Sequence, residues 1–181
     1  MYIIMKKSII LAISFVCLVV HITFSQQPYR TLKQLGNNTA KYLKYNFKER
    51  GSSNMYEGKT FAELFSDLEI KPIGLFRTMM NIEGGGSKIV AIKLFFTQSN
   101  KLGFSELGDE YILIVWETPI IYDNSAILTK AKSSPPVRGQ KKYESGYELF
   151  TAYSQKEWIP QFYDFFKDQR IKAVYYSPDR Y

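Results

Sequence analysis

Cysteine and histidine are nearly missing from this chain of 181 residues: Cys17 and His21 are the single copies of each. One cysteine excludes an intrachain disulfide framework and any paired-thiol metal or redox motif. One histidine excludes a site built on a pair of imidazoles. Long apolar runs are scarce too. The longest, Ser8 to Phe24, has 17 positions, fewer than the ~20 a spanning helix needs. Apolar residues make up 45% and charged ones 23%, which excludes a disordered polyelectrolyte and a multi-pass membrane protein.

What is present begins with an export signal. Lys6 and Lys7 form a basic start, Ser8 to Phe24 an apolar middle, and Thr23 and Ser25 are small residues at the −3 and −1 positions of a cleavage site. This order predicts a secretory signal peptide over 1–25, cut after Ser25. Met5-Lys6-Lys7 is the usual opening of such a peptide, so translation starts at Met1 or Met5. Cys17 is preceded by Phe15 and Val16, too large for a lipobox. Cleavage removes both Cys17 and His21. It leaves 22 basic against 17 acidic residues over 26–181, a formal charge of +5 where the whole chain has +7. A thiol nucleophile, a serine–histidine triad, an imidazole base and zinc held by His or Cys are then excluded. Carboxylates, Lys, Tyr, hydroxyls or an oxygen-bound hard cation remain. No cofactor or metal site is expected.

The remaining chain reads as one α+β domain over 26–181. Ala40, Leu43 and Phe47 predict a helix over 39–50, with Lys41, Lys44 and Lys48 on another face. Thr60 and Glu63 form a capping box for a second helix over 61–68, stopped by Pro72. Strands follow over 73–82, 88–97 and 111–121, with Gly84-Gly85-Gly86 as the first turn. In the second strand Val90, Ile92, Leu94 and Phe96 share one face, and Ile89, Ala91, Lys93 and Phe95 the other. Ile112 to Trp116 is nearly continuous apolar, the signature of a central strand covered on both faces. Residues 123–146 read as a flexible basic loop. Tyr147 to Tyr153 reads as a further strand, Ser154 and Glu157 as a capping box leading a helix to about Lys167, and Ile171 to Tyr176 as a closing strand. The expected fold is an antiparallel sheet of about four to five strands, with two N-terminal helices and one late helix packed on it.

Several motifs bear on function. Gly58-Lys59-Thr60 looks like the tail of a phosphate-binding loop, but the required earlier Gly is Ser53, and a helix rather than a strand precedes it. Thr60 as a helix cap fits better. Gly84 to Lys88 fits a hairpin turn better than an anion nest. Glu63/Asp67 and Asp164/Asp168 are carboxylate pairs at helical spacing, and Glu117 is an acid beside Trp116. Such acids allow histidine-free glycoside hydrolysis; a solvated face is the plainer reading. Lys130, Lys132, Arg138, Lys141 and Lys142 form a candidate anion-contact loop, without the interleaved aromatics of a nucleic-acid platform. Tyr147, Tyr153, Tyr163, Tyr175, Tyr176 and Tyr181 are candidates for a sugar or protein contact surface, or for core packing.

The segment Gly58 to Pro72 resembles the G-x-T-x-x-x-[VL]-x-x-x-L…P opening of small periplasmic SmpA/OmlA-like and β-lactamase-inhibitor-like modules. Gly58, Thr60, Leu64 and Leu68 match in place. Glu69 stands where the family has Gly, Pro72 is one residue late, and the lipidated Cys of the outer-membrane members is absent. The resemblance implies a short helix entering an antiparallel sheet and a non-enzymatic protein-binding module of the envelope. It carries over no functional residue.

The sequence thus predicts a Sec-exported, periplasmic or extracellular binding protein, leaning away from an enzyme, whose partner is a protein or an envelope glycan. Nucleic acid is not expected, and a membrane only through an uncleaved signal segment. The alternatives are an exported carboxylate-dependent glycan hydrolase and a polyanion binder acting through the basic loop.

Overall fold

The computed structural model describes residues 28–49, 55–83, 86–97, 110–123, 138, 143, 145–153 and 157–178. The signal segment with Ser25, and most of the basic loop, lie outside them.

The N-terminal part is helical. After a 3-10 turn at Lys33–Leu35, helix α1 (Thr39–Lys44) starts at Asn38, whose side chain accepts from the Lys41 amide at 2.9 Å. It runs on as a π-helical turn over Tyr45–Glu49. The wider turn puts Tyr42, Leu43, Tyr45, Asn46 and Phe47 on the buried side and leaves Lys41, Lys44 and Lys48 exposed. Helix α2 (Phe61–Asp67) carries the expected capping box. Thr60 Oγ1 accepts from the Glu63 amide, and Glu63 Oε2 accepts from the Thr60 amide at 2.7 Å. These bonds hold the exposed Glu63 carboxyl below its ordinary pKa.

The sheet has four strands in chain order, all antiparallel: β1 (Gly74–Asn81), β2 (Ser87–Phe95), β3 (Glu110–Asp123) and β4 (Ile171–Pro178). An α+β fold with an antiparallel sheet is therefore what the chain adopts. Gly86, at φ 96°, accepts from the Ile82 amide and closes the first hairpin as a turn. The register slips at Val90, which has no partner on β1 or β3. Opposite it, β3 leaves the ladder between Val115 and Ile120. Pro119, which has no amide to donate, lies in this excursion. The slip moves Ile89 onto the core face with Ile92 and Leu94, so the alternation expected for the second strand fails at this point.

Between β3 and β4 the structure corrects the sequence reading. Tyr147 to Tyr153 is not a strand. Helix α3 (Gly146–Ala152) occupies it, started by Ser145, whose side chain accepts from the Glu148 amide. Ser145 and Glu148 have capping spacing, and the apolar side chains Leu149 and Phe150 turn into the core. Helix α4 (Pro160–Phe166) begins at Pro160 rather than after Ser154, because proline's fixed φ and missing amide suit the first helical position. Among the described residues two late helices therefore pack on the sheet, where the sequence predicted one.

The core lies between one face of the sheet and these helices. Leu75, Ile92, Leu94, Ile112, Ile114, Ile171 and Val174 meet Leu43, Phe47, Phe61, Leu64, Leu149, Phe162 and Phe166 there. Phe61 is its hub: its ring lies within 6.3 Å of those of Phe65, Trp116, Trp158, Tyr163 and Phe166. Strand β3 is central, as its sequence implied, but Leu113 and Val115 on its second face are only half-buried. Among the described residues no helix is long and apolar enough to cross a membrane.

Candidate interaction surface

The phosphate-loop reading of Gly58-Lys59-Thr60 fails on hydrogen bonding. The Gly58 amide donates to the Ile171 carbonyl at 2.8 Å, the Thr60 amide to Glu63, and the Phe61 amide to the Gln169 carbonyl at 2.9 Å. The donors a phosphate would need are already used, in the cap of α2 and in bonds to Gln169 and Ile171.

The carboxylate candidates do not converge. Glu117 is exposed, while its neighbour Trp116 is buried and stacks on Phe166 at 5.3 Å. Glu63 is the capping residue of α2. Asp164 pairs with Lys167 at 3.4 Å on an exposed face, and Asp168 is exposed. Among the described residues no group of three or more His, Cys, Asp or Glu side chains is arranged to hold a metal.

Of the candidate anion-contact loop, Lys130, Lys132, Lys141 and Lys142 lie outside the described residues. Arg138 is exposed, its guanidinium 5.3 Å from the centre of the Tyr153 ring. The tyrosines divide. Tyr153 is buried with its ring edge-on to Tyr143, Tyr147 meets Tyr122, and Tyr163 packs on Phe61 and Phe65. Tyr176 donates to Glu110. Tyr175 alone of the described candidates is exposed, and Tyr181 lies outside the described residues.

A cleft of about 430 Å³ opens between the first described segment and α2, lined by Tyr29, Met55, Ser66, Asp67 and Glu69. Its polar groups are largely spoken for. Tyr29 donates to Glu69 Oε1 at 2.8 Å, the Leu32 amide to Glu69 Oε2 at 2.8 Å, and Tyr56 to Asp67 Oδ2 at 3.1 Å. Tyr42 sits 2.8 Å from the Tyr29 hydroxyl and accepts from the Glu69 amide. Burial, reinforced by the bonds to Tyr42 and Glu69, pushes the Tyr29 phenol well above its ordinary pKa; burial raises Tyr42 as well. These contacts tie residues 28–32 to the end of α2.

The outer face of the sheet, opposite the helices, carries exposed apolar side chains beside the buried rings of Phe95 and Tyr111. Phe76 and Met80 of β1, Ile121 of β3 and Tyr175 of β4 all point there by register, and each is 46–49% exposed. Leu113 and Val115 continue the same surface between them. Antiparallel sheets with one wet face usually alternate apolar with polar residues. Here both sides of three strands carry large apolar side chains. That doubling was the available sequence signal, and reading β3 as covered on both sides concealed it. Lys88 and Lys93 of β2 also lie on this face, with Lys93 Nζ 4.3 Å from the centre of the Tyr111 ring.

Compared with known proteins, the chain matches no family model, no curated protein and no solved structure.

Proposed function

We propose that this chain is an exported, non-enzymatic binding protein that docks a partner macromolecule on the outer face of its sheet. The observation that carries this reading is the exposure of Phe76, Met80, Ile121 and Tyr175 together on one sheet face. Large apolar side chains gathered on one surface, with the half-buried Leu113 and Val115 between them, are the kind of patch that marks an interaction site. Export is supported by the basic start at Lys6-Lys7, the apolar run after it and the small residues Thr23 and Ser25. The likeness of Gly58 to Pro72 to the opening of envelope protein-binding modules agrees with this reading. Among the described residues Glu63, Glu117, Asp164 and Asp168 stand apart, which favours binding over the hydrolase alternative.

The test pairs two measurements on protein recovered from its own cells. Intact mass and fractionation report export: a species starting at Gln26 outside the cytoplasm is expected, and a membrane-held species retaining Met1 or Met5 contradicts it. Proximity crosslinking from the outer face reports docking. Phe76→Asp with Tyr175→Asp is expected to abolish the crosslinked partner while leaving urea unfolding unchanged. Unchanged crosslinking in that variant contradicts docking on this face.

A further inference from the structure

The two edges of the sheet are finished differently. The β4 edge is joined at its start to residues 58–60. The Gly58 amide donates to the Ile171 carbonyl, the Ile171 amide donates to the Lys59 carbonyl, and Thr60 bridges Arg170. This strand also carries the exposed Lys172 and ends at Pro178. On the β1 side, the Trp158 amide donates to the Ile73 carbonyl just before the strand. Among the described residues no strand pairs with the free side of Gly74–Asn81.

An open edge offers amides and carbonyls to any extended chain, a second copy included. Folded proteins blunt such edges with lysine, proline, a bulge or a charge pointing inward. None of the β1 residues is lysine, proline, aspartate or glutamate. The register slip beside Thr78 places its extra residue, Val90, on β2, so β1 itself is not bulged. Phe76, Thr78 and Met80 stand exposed and uncharged on the outer face. The remaining device is Arg77, which points to the core face. It is half-buried between the rings of Tyr122 and Phe150 and donates to the Tyr122 hydroxyl and the Met79 sulfur. Its Nη1 is buried without an acceptor, and no carboxylate influences it. For packing alone, an apolar side chain would serve this position as well or better.

We infer that Arg77 guards the open edge of β1 against strand addition, above all by the β1 of a second copy. An added strand would set one of its own core-face side chains against Arg77 and remove the water that still reaches it, leaving a sealed charge with no acid to meet it. A second β1 would also bring a second guanidinium, and neither strand carries an acid. This edge lies beside the outer face rather than on it, so docking on that face is a separate matter.

Sedimentation velocity of the full protein, across a hundredfold range of concentration, reads self-association. Arg77→Met is expected to associate at concentrations at least tenfold below any at which the parent does, with the urea midpoint in dilute solution unchanged or higher. Arg77→Leu, measured beside it, is expected to do the same. Arg77→Lys, which keeps the inward charge, is expected to behave like the parent. Thr78→Lys, added to Arg77→Met, puts a charge on the same edge strand and is expected to undo the association. Ile121→Asp with Tyr175→Asp, added instead, charges the outer face away from β1 and is expected to leave it in place. Hydrogen exchange of the 74–81 amides is expected to slow as Arg77→Met associates. Equal association of Arg77→Met and the parent, association of Arg77→Lys, relief by the outer-face pair, or unchanged exchange over 74–81 overturns the inference. Loss of the cooperative urea transition in both Arg77→Met and Arg77→Leu also overturns it, because the cation then serves the fold itself.

Discussion

The guanidinium of Arg77 lies 4.6 Å from the centre of the Tyr122 ring and donates to the Tyr122 hydroxyl at 3.0 Å. Phe150 closes the other side at 4.7 Å, and Nε donates to the Met79 sulfur at 3.0 Å. Nη1 is buried with no acceptor. Burial depresses the Arg77 pKa, and the opposing influence comes from Tyr122 rather than from a carboxylate. The chain thus keeps a cation on the core face of β1 held by rings and one hydroxyl.

Replacing that cation with an apolar side chain of similar length removes an unpaired polar atom and keeps the packing. Arg77→Met is expected to leave the unfolding free energy unchanged or higher, by up to about 2 kcal/mol. Arg77→Ala, which removes the stem as well, is expected to lower it. Urea unfolding of the two variants beside the parent checks both directions.

Gly146 opens α3 against the same tyrosine. A Cβ there would sit 3.0 Å from Tyr122 Cδ2, 3.1 Å from Ile89 Cδ1 and 3.4 Å from the Tyr122 backbone. Tyr122 has little room to yield, being held by Arg77 and packed on Tyr147 and Phe150. Gly146→Ala is therefore expected to cost about 1–3 kcal/mol, despite alanine's better helix propensity. Thermal unfolding followed by circular dichroism reads it.

Phe61 contacts five other rings in the core. Phe61→Ala is expected to cost about 3–5 kcal/mol, and Phe61→Leu less. Phe65, on the outer side of the same helix and only half-buried, is expected to cost less than Phe61 when truncated to alanine, which chemical denaturation of both variants compares.

Alkaline pH bears on the tyrosine cluster. Tyr29, Tyr42 and Tyr122 all have pKa values raised in the fold, each chiefly by burial. A raised folded pKa means the native state holds the proton more tightly than the unfolded chain. Stability from these groups is then complete below the unfolded tyrosine value of about 10 and is lost as pH rises beyond it. Unfolding free energies are expected to be level from pH 7 to 9 and to fall above about pH 10. Tyr29→Phe is expected to make that fall shallower.

Much of the fold is written in local signals. The Thr60–Glu63 box and the β1–β2–β3 meander follow from capping chemistry and period-two alternation. Where the reading failed, two local signals competed. Ser145 and Glu148 have capping spacing, but Gly146 is a poor helix former and the weak alternation from Tyr147 to Tyr153 imitates a strand. Tertiary burial of Leu149 and Phe150 decides for the helix. The slip at Val90 is set by the β3 excursion that contains Pro119, a pairing no window of sequence contains. The row of short side chains across the outer face was beyond local reading for the same reason. Thr78, Ala91, Val115 and Ala173 come from four strands, and their alignment exists only once the register is fixed.

The bonds joining Gly58, Lys59, Phe61 and Ala62 to residues 167–171 carry one further consequence. The isolated bridge between Thr60 and Arg170 belongs to the same seam. Segments far apart in the chain close one joint, so α2 gains these bonds only after residues 167–171 have been made. While the ribosome still holds residues 167–171, that joint stays open, and its closure waits until they have emerged.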